Sequence, residues 1–204
     1  MKPFRLEQLA DGIFAIVMTI LVFELRIPDI LQISSNQDVL GALREMLPLF
    51  LSYILSFAML FTYWRAHHFF ISVYAKNLDT TLTNINAIFF LFVGFVPFTT
   101  SLLGKLPELE YPIIIFALNV ILLGATLYVM RRYVFHSPHI KNPEVEHAEI
   151  VRGTIRTLVP VFFAILAIPL CFYSKGFAMI LLTAAIIFNF SKSSTRIFGK
   201  LTKI

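Results

Sequence analysis

The chain has 204 residues, 58% of them apolar and 14% charged, with a net charge of +5, where soluble domains run about 45–50% apolar and about 25% charged. Seventeen basic and 12 acidic side chains cannot cover so apolar a mass in water, which excludes an ordinary soluble enzyme, a disordered chain and a collagen-like one. The single cysteine, Cys171, excludes an intrachain disulfide and a cysteine-based zinc or redox motif, leaving a membrane protein built as one bundle.

A hydrocarbon core about 30 Å thick requires about 20 mostly apolar residues per helix. Six segments meet or approach that length, at residues 6–25, 46–63, 82–103, 111–130, 155–173 and 177–191. They predict an all-α, polytopic membrane protein with six transmembrane helices in a single domain, residues 1–204. The first segment lacks a small-residue cleavage site and runs into Glu24, Leu25 and Arg26, so it is expected to be a retained span.

The first helix carries the most informative residues. Asp11 sits where the helix enters the hydrocarbon, and its nearest basic neighbour, Arg5, is six positions back on a different face. Each is therefore expected to find a partner on another helix, or to act as an interfacial charge near the helix N-terminus. Further along, Ile16, Thr19, Ile20 and Phe23 follow the i, i+3, i+4, i+7 spacing and share one stripe. Such a stripe packs helices in any membrane bundle, and on that reading the Thr19 hydroxyl bonds back to the Ala15 carbonyl.

The connection at residues 28–45 is polar, with Pro28, Ser34, Ser35, Asn36 and Asp38. Trp64, Arg65, His67 and His68 close the second span, Trp being common at the interface. Adjacent histidines face different sides of a helix and do not form the i, i+4 pair that chelates a metal. Asn84 and Asn86 open the third span within reach of Asp11 or His67, and Gly94 with Pro97 marks a kink or a close contact in it. The run Phe92-Val93-Gly94-Phe95 is no carbonyl-lined filter, since it lacks the preceding Thr, the following Gly and a pore helix. Asn119 and Asn189 are expected to hydrogen-bond between helices. Asn142-Pro143-Glu144 reads as a helix start, with Asn142 as N-cap. No span carries Arg at every third position, and no catalytic constellation, metal site or cofactor motif stands out.

Lys2, Arg5, Arg65, Lys76, Arg131, Arg132, Lys141, Arg152, Arg156, Lys192, Arg196, Lys200 and Lys203 fall on one side of this six-span layout. Arg26, Arg44, Lys105 and Lys175 fall on the other. The positive-inside rule then places both termini in the cytoplasm.

The opening Arg5-Leu6-Glu7-Gln8-Leu9-Ala10-Asp11 resembles the signature of the endolysosomal potassium channel family, transmembrane-protein-175 type, above all its short bacterial members. That signature is Arg, three residues, then Phe-Ser-Asp; here Leu9 and Ala10 stand for Phe and Ser. The resemblance implies a homotetramer in the bacterial inner (cell) membrane, with four first helices around a pore that passes potassium and other monovalent cations. It implies an apolar constriction at Ile16, Ile20 and Phe23 in place of a carbonyl filter, and potassium preference at Thr19. Glu24 would gather cations at the outer mouth, and Arg5 and Asp11 would anchor the helix through a polar network with Trp64 and His67. The permeant ion is then the chain's ligand; neither a cofactor, a metal, a nucleic acid nor an enzymatic activity is expected.

Two other classes compete with a channel. Buried Asn residues and proline-bearing helices (Pro97, Pro160, Pro169) also suit a small secondary transporter for an ion or solute. A non-conducting scaffold would use the basic tail, Lys192-Arg196-Lys200-Lys203, as a lipid or partner contact.

Overall fold

The structure, a computed structural model, describes residues 3–26 and 34–190. It is helical throughout: α1 (Pro3–Ile20) with a 3-10 turn (Leu21–Glu24), α2 (Asn36–Glu45), α3 (Leu47–Phe69) with a π turn (Phe70–Tyr74), α4 (Thr80–Gly94), α5 (Val96–Lys105), α6 (Glu110–His136), α7 (His147–Leu170) and α8 (Lys175–Phe190). Among the described residues the only β pairing is an isolated bridge between Ala75 and Lys141. Five stretches are long and apolar enough to cross a membrane: Phe4–Glu24, Leu47–Tyr74, Thr80–Lys105, Glu110–His136 and Ala148–Leu170. The last apolar helix, Lys175–Asn189, is shorter. The basic tail from Lys192 to Lys203, with Lys2 and Pro28, lies outside the described residues.

The central helix is α6, packed against α4, α5 and α7. Its Gly124 lets α7 approach until a Cβ there would overlap the Val161 side chain, the small-residue contact by which membrane helices close on one another. Helix α1 packs on α3 and α4 through Leu6, Ala10, Phe14, Val17 and Leu21, all buried and spaced three or four apart as one helical face requires.

Four local features depart from the sequence reading or refine it. The second span does not end at residue 63 but continues to Tyr74, because Phe70 and Ile71 are fully buried and His67 is itself in the core. The third is two helices: Gly94 and Pro97 do break it, with Pro97 in the first turn of α5. Its start is fixed by Asp79, whose Oδ1 accepts from the Leu82 amide at 2.8 Å. Within the 28–45 connection Ser35 starts α2 by a capping box with Asp38.

The fifth helix begins at His147, not near Pro143. Asn142 is no N-cap: its side-chain oxygen accepts from the Glu144 amide in a two-residue turn. Its side-chain nitrogen donates to the Val73 carbonyl at 3.0 Å, and its amide to Tyr74 at 2.9 Å. With the Lys76 amide on the Ile140 carbonyl at 2.8 Å, these bonds tie the α6–α7 connection to the one before α4.

Candidate functional site

The first helix has two unlike faces. Opposite the buried stripe, Arg5, Gln8, Leu9, Asp11, Gly12, Ala15, Ile16, Thr19, Ile20 and Phe23 are all exposed. Ile16 is 60%, Ile20 39% and Phe23 66% exposed. The stripe at 16, 19, 20 and 23 is therefore not a packing face within the subunit. The Thr19 hydroxyl does bond backward, but to the Ile16 carbonyl at 2.8 Å and not to Ala15. That bond commits the hydroxyl proton to the helix and leaves the Thr19 oxygen an acceptor on the outer face.

Polar contacts fasten the helix at both ends. Towards its N-terminal end the Trp64 indole donates to Asp11 Oδ1 at 2.7 Å, joining α1 to α3 across 53 residues of sequence. The Trp64 ring stacks on His68, centroids 5.8 Å apart, so the indole is held in the orientation that reaches the carboxylate. Ser72, in the π turn, donates to Glu7. At its C-terminal end Lys105 of α5 reaches Glu24 at 3.3 Å. Glu24 thus shares its charge with a neighbour.

His67 is near this network but outside it. Fully buried, it pairs with Asn86 Oδ1 at 2.7 Å and lies parallel to the Phe89 ring at 5.3 Å. Its contact with α1 is through Phe14, centroids 6.4 Å apart. Arg5 is exposed and makes no hydrogen bond or ion pair among the described residues. Ala10, at the signature's Ser position, is 2% exposed against the bundle.

Sequence reading did not find the Ser72–Glu7 or Glu24–Lys105 contacts. The first depends on the π turn re-aiming Ser72, which leaves no periodic signal; the second joins two helix ends 81 residues apart. Asp79 was equally unmarked, though an Asp before Thr80-Thr81 and an apolar run is a readable helix start. Tyr133 donates to its carboxylate and His139 lies 3.4 Å away. Burial works to raise the Asp79 carboxyl, but the Tyr133 hydroxyl, the Leu82 amide and His139 together hold it below its ordinary value. Among the described residues no three His, Cys, Asp or Glu side chains converge as a metal site.

The family model described as the endosomal/lysosomal potassium channel TMEM175 matches residues 5–97, beginning at Arg5. A potassium channel of Chryseobacterium sp. (strain P1-3) is 28% identical over 174 residues, covering 85% of this chain and 84% of that protein. One from Chamaesiphon minutus is 34% identical over 101 residues, half of this chain and 49% of its own length. The mouse endosomal/lysosomal proton channel TMEM175 is 24% identical over 198 residues, and this chain spans 39% of it. The crystal structure of a lysosomal potassium-selective channel TMEM175 homolog from Chamaesiphon minutus superposes with a TM-score of 0.76 at 22% identity, over 92% of this chain and 95% of that one.

Proposed function

We infer, from the match of residues 5–97 to the TMEM175 family model and the similarity to bacterial potassium channels, that this chain is a membrane cation channel of that family whose pore is the outward face of α1. Four copies assemble around an axis, each turning Ile16, Thr19, Ile20 and Phe23 inward. The permeant ion is potassium in preference to sodium. The chain crosses a bacterial inner membrane six times, α8 making the last span, with both termini in the cytoplasm. Ion passage, and not catalysis, is its activity, as the names of its relatives suggest.

The observation that carries this reading is the composition of the outward face of α1. Arg5, Gln8, Asp11, Gly12 and Thr19 are exposed there beside Ile16, Ile20 and Phe23. Lipid tails offer such polar groups no partner, whereas a water-filled path or a neighbouring subunit does.

The physics of conduction follows from the side chains. A ring of Ile16, Ile20 and Phe23 gives a cation nothing to replace the water it sheds, so the ring acts as a barrier that wetting opens. Thr19 stands one turn from Ile16 and Phe23, and its oxygen, proton committed to the Ile16 carbonyl, can only accept; four such oxygens would compensate part of the lost hydration. Glu24 raises the cation concentration at the outer mouth, weakened by Lys105 at 3.3 Å. Trp64, through Asp11, sets the angle of α1 to its own subunit, and Arg5, which has no partner among the described residues, contacts a neighbour.

Purified protein in vesicles loaded with potassium should release it down its gradient with no coupled ion, and its particles should contain four subunits. Flux that saturates and needs a counter-ion, from a monomer or dimer, would instead establish a transporter.

A further inference from the structure

Arg131 of α6 carries a charge into the core. It is 2% exposed, and among the described residues no carboxylate pairs with it. Its Nη2 donates to the Ala66 carbonyl at a long 3.4 Å, while Nε and Nη1 have no hydrogen-bond partner there. A buried guanidinium so poorly answered costs free energy that an apolar side chain of similar length would not.

What surrounds the charge is aromatic. Arg131 Cζ lies over the Phe70 ring and over the Tyr74 ring, 5.5 Å from each centroid. A ring face attracts a cation at that range, most strongly away from water, and both rings are buried. Phe70 and Tyr74 are the first and last residues of the π turn, and their rings meet edge to face at 6.1 Å. One guanidinium therefore grips both ends of the turn. Helix α7 packs against the group: a Cβ at Gly153 would overlap Arg131 Nη1, and the Tyr74 hydroxyl donates to the Glu149 carbonyl at 3.0 Å.

π turns are rare and short, and need neighbours to hold them against α-helical winding. This one has Ser72 at its centre, and the Ser72 hydroxyl donates to Glu7 of α1. Rewinding residues 70–74 as α-helix would turn Ser72 off that line.

We propose that Arg131 is a positioning residue for α1: its guanidinium, over the Phe70 and Tyr74 rings, holds the π turn in the form that presents Ser72 to Glu7. Its consequence for conduction rests on the reading of α1 as the pore helix; the positioning itself does not.

Cross-linking of the reconstituted full chain tests the positioning without any current. In a Cys171→Ser background, Glu7→Cys with Ser72→Cys reports the gripped end of α1, and Glu24→Cys with Lys105→Cys its other end. Each pair is bridged by a short bifunctional methanethiosulfonate and read by mass spectrometry of the joined peptides. Arg131→Met, which keeps the length and removes the charge, should slow bridging of 7 to 72 about fivefold and leave 24 to 105 within about twofold. Gly153→Ala, which displaces the guanidinium without removing it, should act in the same direction. Arg131→Lys, which keeps a cation for the rings, should recover about half of the native rate or more. Native rates at 7 and 72 in the Met and Ala variants overturn the proposal. So does equal slowing of both pairs, the mark of a generally loosened bundle, and so does a Lys variant as slow as Met, which removes the charge from the account. In potassium flux, Ser72→Ala should change nothing further once Arg131→Met is present, and additive effects of the two would contradict action through Ser72. A chain that passes no potassium at all would overturn the channel reading and leave the cross-linking to decide this one.

Discussion

Helices α1 and α7 bury the same share of their spans, 28%, and each is therefore peripheral to its own bundle. What they turn outward differs in kind. The exposed positions of α7 within its apolar half are Phe162, Ile165, Leu166 and Pro169, a face that hydrocarbon covers without cost. Those of α1 mix Ile16, Ile20 and Phe23 with Arg5, Gln8, Asp11, Gly12 and Thr19. Mean hydropathy is equal for the two spans and does not separate them. Burial shows which helices are available for contact outside the subunit, and the chemistry of the exposed face separates a lipid contact from an assembly or pore surface.

The comparison is broken most directly by placing the same polar group on both faces. Ile16→Asn should wet the constriction and raise resting potassium leak by about tenfold, about 1.4 kcal/mol off the barrier, read in vesicle flux. Phe162→Asn should leave conductance unchanged and lower only the yield of inserted protein. Equal effects, or none at residue 16, would dissolve the distinction between the faces.

A second effect concerns how α1 is held. Trp64→Phe keeps the ring that stacks on His68 but removes the indole donor at 2.7 Å from Asp11. An unanswered carboxylate beside the hydrocarbon should cost about 1–3 kcal/mol, seen as a lower Tm in detergent. No comparable loss is expected on α7, whose exposed positions in its apolar half, Phe162, Ile165, Leu166 and Pro169, carry no polar side chain. Thr19→Ala should bring the potassium-to-sodium preference toward unity, read as a shifted reversal potential in mixed salts; an unchanged potential would remove Thr19 from selectivity.

The smallest effects lie away from both faces. Asp79 is held below its ordinary value, so its carboxylate favours the folded state above the unfolded value of about 3.9. That contribution is lost as pH falls through the still lower folded value. Asp79→Asn, which can still cap α4, should therefore lower the Tm at pH 6 and close the gap to the native chain as the pH approaches 3. A gap independent of pH would contradict the charge assignment. Glu24→Gln should reduce conductance by less than about twofold, and only at low salt, because Lys105 already shares its field.

Much of this was legible in the residues. The α1 stripe and the break at Gly94 and Pro97 follow from spacing and composition alone, as do the six apolar segments, five of which are helices long enough to cross a membrane while the sixth, Lys175–Asn189, is shorter. What escaped depends on partners remote in sequence. Trp64-Arg65-Ala66-His67-His68 has the look of a span's polar end, yet the chain continues as helix because Asn86 and Phe89 receive His67 in the core. Asn142 carries a helix-start signal that is overridden when Val73 and Tyr74 supply carbonyls to its two nitrogens. Trp64 was tied to Asp11 through family resemblance, since nothing local in either segment names the other. The capping box at Ser35 and Asp38 has a readable spacing, but the short, polar stretch around it lacks the apolar run that marks a helix start.

The most direct test of the two faces uses thiol chemistry in a Cys171→Ser background. Ile16→Cys, Ile20→Cys and Phe162→Cys are each reconstituted and exposed to a charged, membrane-impermeant methanethiosulfonate while potassium current is recorded. The account predicts block at positions 16 and 20, where water and ions reach the side chain, and none at 162. Indifference at 16 and 20, with the reagent silent at all three positions, would contradict it.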